Sequence, residues 1–279
     1  MSPFGPGPSH TMKFKKSFLP FLAFSLFAAG CSSNPSSSSS SETASTSSPA
    51  PAPVSDQPVQ TLDPATVGSI SGTVTLAGTP PVAKKIDMGA EPTCEKEHSG
   101  PVDFPEVVTG AHGALANVVL YVKSGLGSYH FDTPKEPVVL NQKGCMYEPH
   151  VFALMVNQPY EIENSDPVLH NIHVVARANS SWNKSETPGT APFLESFSQP
   201  ELGVLIKCNV HPWMRSVAFV FAHPYFAVTT KSGTFDLKNL PPGTYTIEAW
   251  QEKYGVQDQT VTIGTKESKS ISISFKTTK

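Results

Sequence analysis

The chain has 279 residues, with 20 Lys and Arg against 23 Asp and Glu and a formal net charge of −3. That length accommodates one large domain or two modest ones. No Lys/Arg-rich run occurs anywhere, so nucleic-acid binding has no electrostatic basis.

In chain order, the first feature is an export segment over 1–31. Lys13, Lys15 and Lys16 form a basic start, and Phe18 to Ala29 is an apolar run. At about a dozen residues that run is too short to span a bilayer comfortably. Ala28-Ala29-Gly30-Cys31 resembles the lipobox of bacterial lipoproteins, with Ala28 where Leu is usual. The resemblance implies lipidation of Cys31 and an anchor in the bacterial envelope, on the periplasmic side of the outer membrane. The alternative is an ordinary signal peptide cut nearby. Residues 32–66 are dominated by Ser, Thr, Pro and Ala. Such a stretch buries too little apolar surface to offset its ordering entropy and reads as a tether.

Beyond the tether the pattern is that of short strands between Gly, Pro and Asn turns, with no convincing helical periodicity. Ser69–Leu76 alternates and then turns at Gly78-Thr79-Pro80-Pro81. Asn117–Val122 is a continuous β-rich run, followed by Val151–Val156, Tyr160–Asn164 and Ile172–Val175. Gly203–Cys208, Arg215–Phe221, Gly233–Leu237, Tyr245–Trp250, Gln259–Ile263 and Ser270–Phe275 complete the set. The expected fold class is all-β, built of sandwiches.

Cysteine usage separates the roles further. Of four cysteines, Cys31 is assigned to lipid and Cys208 to a metal, leaving Cys94 and Cys145. Oxidising conditions outside the cytoplasm favour a Cys94–Cys145 disulfide. The rival is a second metal site, because Cys94 is followed by His98 and Cys145 by His150.

The densest chemistry lies in Cys208-Asn209-Val210-His211-Pro212-Trp213-Met214, with a second imidazole upstream in Asp166-Pro167-Val168-Leu169-His170-Asn171. One thiolate, two imidazoles and a thioether form the donor set of a blue-copper electron-transfer site. Zinc also accepts nitrogen and sulfur, but a thioether at the fourth position has no evident use there. Asn171 and Asn209 each follow a ligand candidate and are placed to hydrogen-bond the neighbouring loop. His173, three residues along a strand from His170, points to the other face and is read as a packed or hydrogen-bonded histidine. His150 and His223 are read as surface or turn residues, Trp182 and Trp250 as packing. Pro212 and Trp213 suggest an apolar docking patch for a redox partner.

These residues carry a resemblance. The stretch 137–223 is similar to the cupredoxins of the plastocyanin and amicyanin type, whose loop Cys-x-x-His-x-x-Met with Pro after the His matches Cys208, His211, Pro212 and Met214. The resemblance implies a Greek-key sandwich holding one type 1 copper through His170, Cys208, His211 and Met214, with His211 near the surface as the electron exit. A second resemblance flanks it. Ser71–Leu76, Phe226–Leu237 and Leu240-Pro241-Pro242-Gly243-Thr244-Tyr245 are similar to a carboxypeptidase regulatory-like (transthyretin-like) sandwich. This implies a domain split into 67–136 and 224–279, with the cupredoxin part inserted between. No nucleophile elbow, phosphate loop or dinucleotide fingerprint is present, so no enzyme is expected. The expected function is a membrane-tethered copper protein passing single electrons between redox proteins of the cell envelope. The alternative is a non-redox binding or structural module, or a lipoprotein for copper storage or sensing.

Overall fold

The computed structural model describes residues 60–277; the expected export segment, the expected lipidation of Cys31 and residues 32–59 of the expected tether fall outside the described residues. Among the described residues no helix is long and apolar enough to cross a membrane. The described chain is nearly all β.

β1 (Gly68–Ala77) buries Ile70, Val74 and Leu76 and leaves the residues between them more open. Gly72 is required on this strand, because a Cβ there would sit 1.9 Å from the carbonyl oxygen of Ile271. The chain then crosses a long stretch whose short helix α1 (Pro92–Lys96) starts on a proline, where a missing N–H costs nothing. β2 (Val119–Ser124) follows.

The next nine strands are β3 (Val138–Lys143), β4 (Met146–Glu148), β5 (Val151–Met155), β6 (Tyr160–Asn164), β7 (His170–Val175), β8 (Trp182–Glu186), β9 (Phe193–Glu195), β10 (Glu201–Lys207) and β11 (Arg215–Phe221). β12 (Phe226–Val228), β13 (Thr234–Leu240), β14 (Gly243–Gln251), β15 (Gly255–Ile263) and β16 (Ser268–Lys276) close the chain.

These strands form four sheets. The orders are β13-β1-β16, β12-β2-β14-β15, β5-β11-β10-β7-β8 and β4-β3-β6-β9. The first two enclose a core that includes Ile70, Leu120, Leu237, Tyr245, Ile263 and Phe275. Its Pro-Pro-Gly-Thr-Tyr turn works as a corner: the Tyr245 hydroxyl, buried, donates to the carbonyl of Pro241, as a sandwich corner tyrosine does. The last two sheets enclose a second core that includes Leu140, Phe152, Ile162, Ile172, Ile206 and Val220. The strands of this second sandwich all lie between β2 and β12. The chain leaves β2 and comes back on its neighbour, Phe226 pairing with Tyr121.

The continuous apolar runs now have a reason. Val118, Leu120 and Val122 face the first core, whereas Val119 and Tyr121 face Val151, Val217, Phe219 and Phe221 of the second sandwich. A sheet covered on both faces needs no polar alternation. Trp250 joins this middle layer, its ring 4.7 Å from that of Phe219, and Trp182 packs on the second core.

Candidate metal centre

Two strand ends and one tight loop bring the site together. His170 opens β7, and Cys208 follows directly on β10. The loop back to β11 is held closed by two backbone bonds: the Cys208 N–H donates to Met214 O at 3.1 Å, and the Met214 N–H donates to His211 O at 2.9 Å. Because β10 pairs with both β7 and β11, the loop returns beside His170.

The donor atoms converge. His170 Nδ1 and His211 Nδ1 lie 3.0 Å apart, and Cys208 Sγ lies 3.9 Å from His211 Nδ1. The three residues form a cluster whose ligand atoms all fall within 4.8 Å of one another, and all three are buried. Met214 is fully buried in the same core as Cys208.

The His170 ring is held by its far nitrogen. His170 Nε2 is 2.7 Å from Asp166 Oδ2. That carboxylate also accepts the N–H groups of Gly144 at 2.6 Å and Cys145 at 2.7 Å. Burial works against ionisation of Asp166, but the bonds from His170, Cys145 and Gly144 outweigh it and hold the carboxyl below its usual range. Burial likewise opposes a charged His170, and the Asp166 bond outweighs it, raising that imidazole. Across the sheet His170 is paired with Glu186, a fully buried acid that accepts from Gln142 Nε2 and whose own range burial raises.

The Cys208 sulfur accepts the N–H groups of Val210 and His211, each at 3.4 Å. Burial opposes the thiolate; the bonds from His170, His211 and these two N–H groups more than offset it, and the thiol is brought down to about 6. Asn171 ties the two halves: its Oδ1 accepts the Asn209 N–H at 3.1 Å while its Nδ2 donates to Asn183 Oδ1 and to Lys184 O. His173, off the cluster, sits 3.0 Å from Asn209 Oδ1 through Nδ1.

Cys94 and Cys145 are joined as a disulfide with Cα atoms 5.6 Å apart. This bond sits on the centre. Cys94 Sγ is 3.6 Å from His211 Nε2, and His211 is 1 % exposed. The expectation of a surface-facing His211 is therefore corrected: α1, carried on the stretch between β1 and β2, covers the ring edge. Trp213 is also less open than its sequence context suggests. It is half-buried, donates from Nε1 to Cys145 O at 3.0 Å, and packs its ring 5.2 Å from His211; Pro212 is exposed. Cys145 thus touches the centre three ways, through its N–H to Asp166, its carbonyl to Trp213 and its sulfur to Cys94.

The remaining histidines do not join a second cluster with these cysteines among the described residues. His98 Nε2 is spent on Gly144 O at 2.7 Å. His150 is not a surface residue: it is 7 % exposed, with its Nε2 2.6 Å from Glu252 and its Nδ1 3.1 Å from Arg215 O. Glu252 belongs to the turn after β14, so this pair bridges the two sandwiches. His223 is half-buried, its ring stacked 5.7 Å from Phe221. Sequence reading quoted Asp166 in the stretch before His170 but gave its carboxylate no role, and passed over Gly144; an acid four residues before a candidate ligand histidine was the available signal for the first.

Two imidazole nitrogens, a thiolate and a buried thioether suit a soft or borderline transition metal, copper above all. The fit rests on the geometry: both Nδ1 atoms face the sulfur, and the far nitrogen of His170 is held by Asp166.

Among known proteins, residues 189–271 match the family model of polysaccharide lyase family 4, domain II, not a carboxypeptidase regulatory-like one. No curated protein matches the chain. Similar solved structures include a copper-containing nitrite reductase from Thermus scotoductus, with 20 % identity over 32 % of this chain and 23 % of that one, TM-score 0.29. A purple cupredoxin from Nitrosopumilus maritimus has 19 % identity over 30 % and 99 %, TM-score 0.26. A Cu(I) amicyanin variant has 16 % identity over 38 % and 99 %, TM-score 0.28. The chain thus spans under a quarter of the nitrite reductase.

Proposed function

We propose that this protein is an exported carrier of single electrons built on one type 1 copper held by His170, Cys208, His211 and Met214. The observation that carries the reading is the convergence of His170 Nδ1, His211 Nδ1 and Cys208 Sγ inside a buried pocket. When bound there, copper supplies a one-electron couple.

The chain's own part is to keep the donors still. Asp166 fixes the His170 ring, the Val210 and His211 N–H groups fix the sulfur, and the Asn171–Asn209 bond locks the two ligand-bearing segments together. Donors that are already oriented before the electron arrives have little to rearrange. Burial excludes water from the sulfur. The basic and apolar start of the chain with Cys31 supports export and a lipid anchor in the envelope. Redox partners dock, on this reading, where Leu169, Val210 and Pro212 leave apolar surface open beside the ligands, Leu169 and Val210 being 42 % and 40 % exposed.

The test is optical and EPR spectroscopy of the copper-loaded protein. An intense visible thiolate-to-copper band and a reversible one-electron couple are expected, both lost in Cys208→Ala. A holoprotein without that band, or one that binds zinc in preference and stays colourless with copper, overturns the reading.

A further inference from the structure

The Cys94–Cys145 disulfide lies against the outer nitrogen of a ligand histidine, and its two sulfurs with that nitrogen make a donor cluster of their own. Cys94 Sγ, Cys145 Sγ and His211 Nε2 fall within 4.8 Å of one another, all on buried residues. The Cys94 sulfur is 3.6 Å from Nε2. Both cysteines are fully buried. The His211 ring therefore has two faces of chemistry: Nδ1 towards Cys208, Nε2 towards the disulfide.

We infer that this pair is a second, latent site for a cuprous ion, formed by the sulfurs of Cys94 and Cys145 with His211 Nε2 whenever the disulfide is open. Two thiolates and one imidazole, all on buried residues, select Cu(I) over harder cations. The Cα atoms are 5.6 Å apart, so both side chains reach a common point without movement of the backbone. Cys145 is fixed there by its N–H to Asp166 and its carbonyl to Trp213.

The opening step balances. A dithiol reductant gives two electrons and two protons, closes to its own disulfide, and leaves Cys94 and Cys145 as thiols. Each thiol releases its proton to solvent as Cu(I) binds. Closing the disulfide removes this S₂N set and leaves His211 to the Cys208 cluster alone. In a newly exported, still reduced chain the two clusters compete for one imidazole, and oxidation decides the contest.

The experiment uses the full chain carrying Cys31→Ser and Cys208→Ala, which removes the thiolate of the first cluster, so the outcome does not depend on the electron-transfer reading. Reduced and disulfide forms are titrated anaerobically with Cu(I) against a chromophoric chelator, with circular dichroism to follow the fold. The reduced form is expected to hold one Cu(I) that the disulfide form does not hold, with two sulfurs and one nitrogen in the copper X-ray absorption spectrum. Adding His211→Ala should weaken binding by about tenfold or more and remove the nitrogen. Equal Cu(I) binding in the two forms overturns the inference. So does a nitrogen that survives His211→Ala, or binding seen only after the β-sheet circular dichroism is lost.

Discussion

At the scale of single residues, the site is governed by what touches the atoms that do not face the donor cluster. Asp166 accepts from His170 and from two backbone N–H groups at once. Asp166→Asn preserves the shape but cannot accept from all three donors, so the His170 ring loses its fixed orientation. A fall in copper affinity of about 10–100-fold is expected, measured by chelator competition; unchanged affinity would remove Asp166 from the site. Cys208 makes a second prediction. Its thiol is brought down to about 6 by hydrogen bonds that outweigh its burial, against an ordinary thiol near ~8.5. Above pH 6 the thiolate is already formed and metal binding takes little proton release from it. Below pH 6 the proton returns and competes with the metal, so affinity drops as pH falls. The thiolate absorbance of metal-free Cys31→Ser protein should titrate with a midpoint about 6; a midpoint in the ordinary thiol range would show that the hydrogen bonds to the sulfur do not form in solution.

At the scale of elements, the two-residue turn between β3 and β4 does more than reverse the chain. Lys143 pairs with Met146, and the intervening Gly144 and Cys145 both have positive φ, 61° and 53°, the handedness that two-residue hairpins favour. That backbone aims both N–H groups at Asp166. A Cβ on Gly144 would lie 2.9 Å from the His98 ring. Gly144→Ala is expected to destabilise by about 1–2 kcal/mol, read from urea unfolding, and to weaken the Asp166 bonds along with it. A variant as stable as the parent would show that the turn tolerates a side chain. This element also marks the limit of what the sequence reveals. The strand runs, the Cys-x-x-His-x-x-Met loop and the His170 approach are legible, because each is local in the chain and its period or spacing is set by one element. The cover over His211 is not. Residues 78–110 carry no strand pattern and one helix of five residues, and their position is fixed by a bond to Cys145, 51 residues away. Pairing the cysteines was possible from composition, but nothing local states that the pair comes to rest on a candidate ligand histidine. His150 was misjudged for the same reason: the turn that buries it comes from after β14, 102 residues on.

At the scale of the whole molecule, the decisive feature is that two sheets, each with one face on its own core, share a middle layer through their other faces. Alternate residues of β2 face opposite ways, and β11 does the same, sending Ala218 and Val220 into the second core and Val217, Phe219 and Phe221 into the middle layer. β11 is also the strand that receives the ligand loop after Met214. The strand next to the donor cluster therefore packs its other face on the first sandwich. Phe219 is 2 % exposed against the Trp250 ring, so Phe219→Ala leaves a cavity in the shared layer costing about 3–5 kcal/mol. The parent protein is expected to unfold in a single calorimetric transition, and the variant to separate the two sandwiches into distinct steps. Binding of a metal to the native state alone adds stability by mass action. In the parent, copper should raise the melting of both sandwiches together, with Trp250 fluorescence, isolated by Trp182→Phe and Trp213→Phe, shifting in step with the visible band. In Phe219→Ala the band should still report the copper-stabilised step while Trp250 melts independently of copper. A parent whose Trp250 signal ignores copper would show that the middle layer holds the sandwiches side by side without joining them thermodynamically.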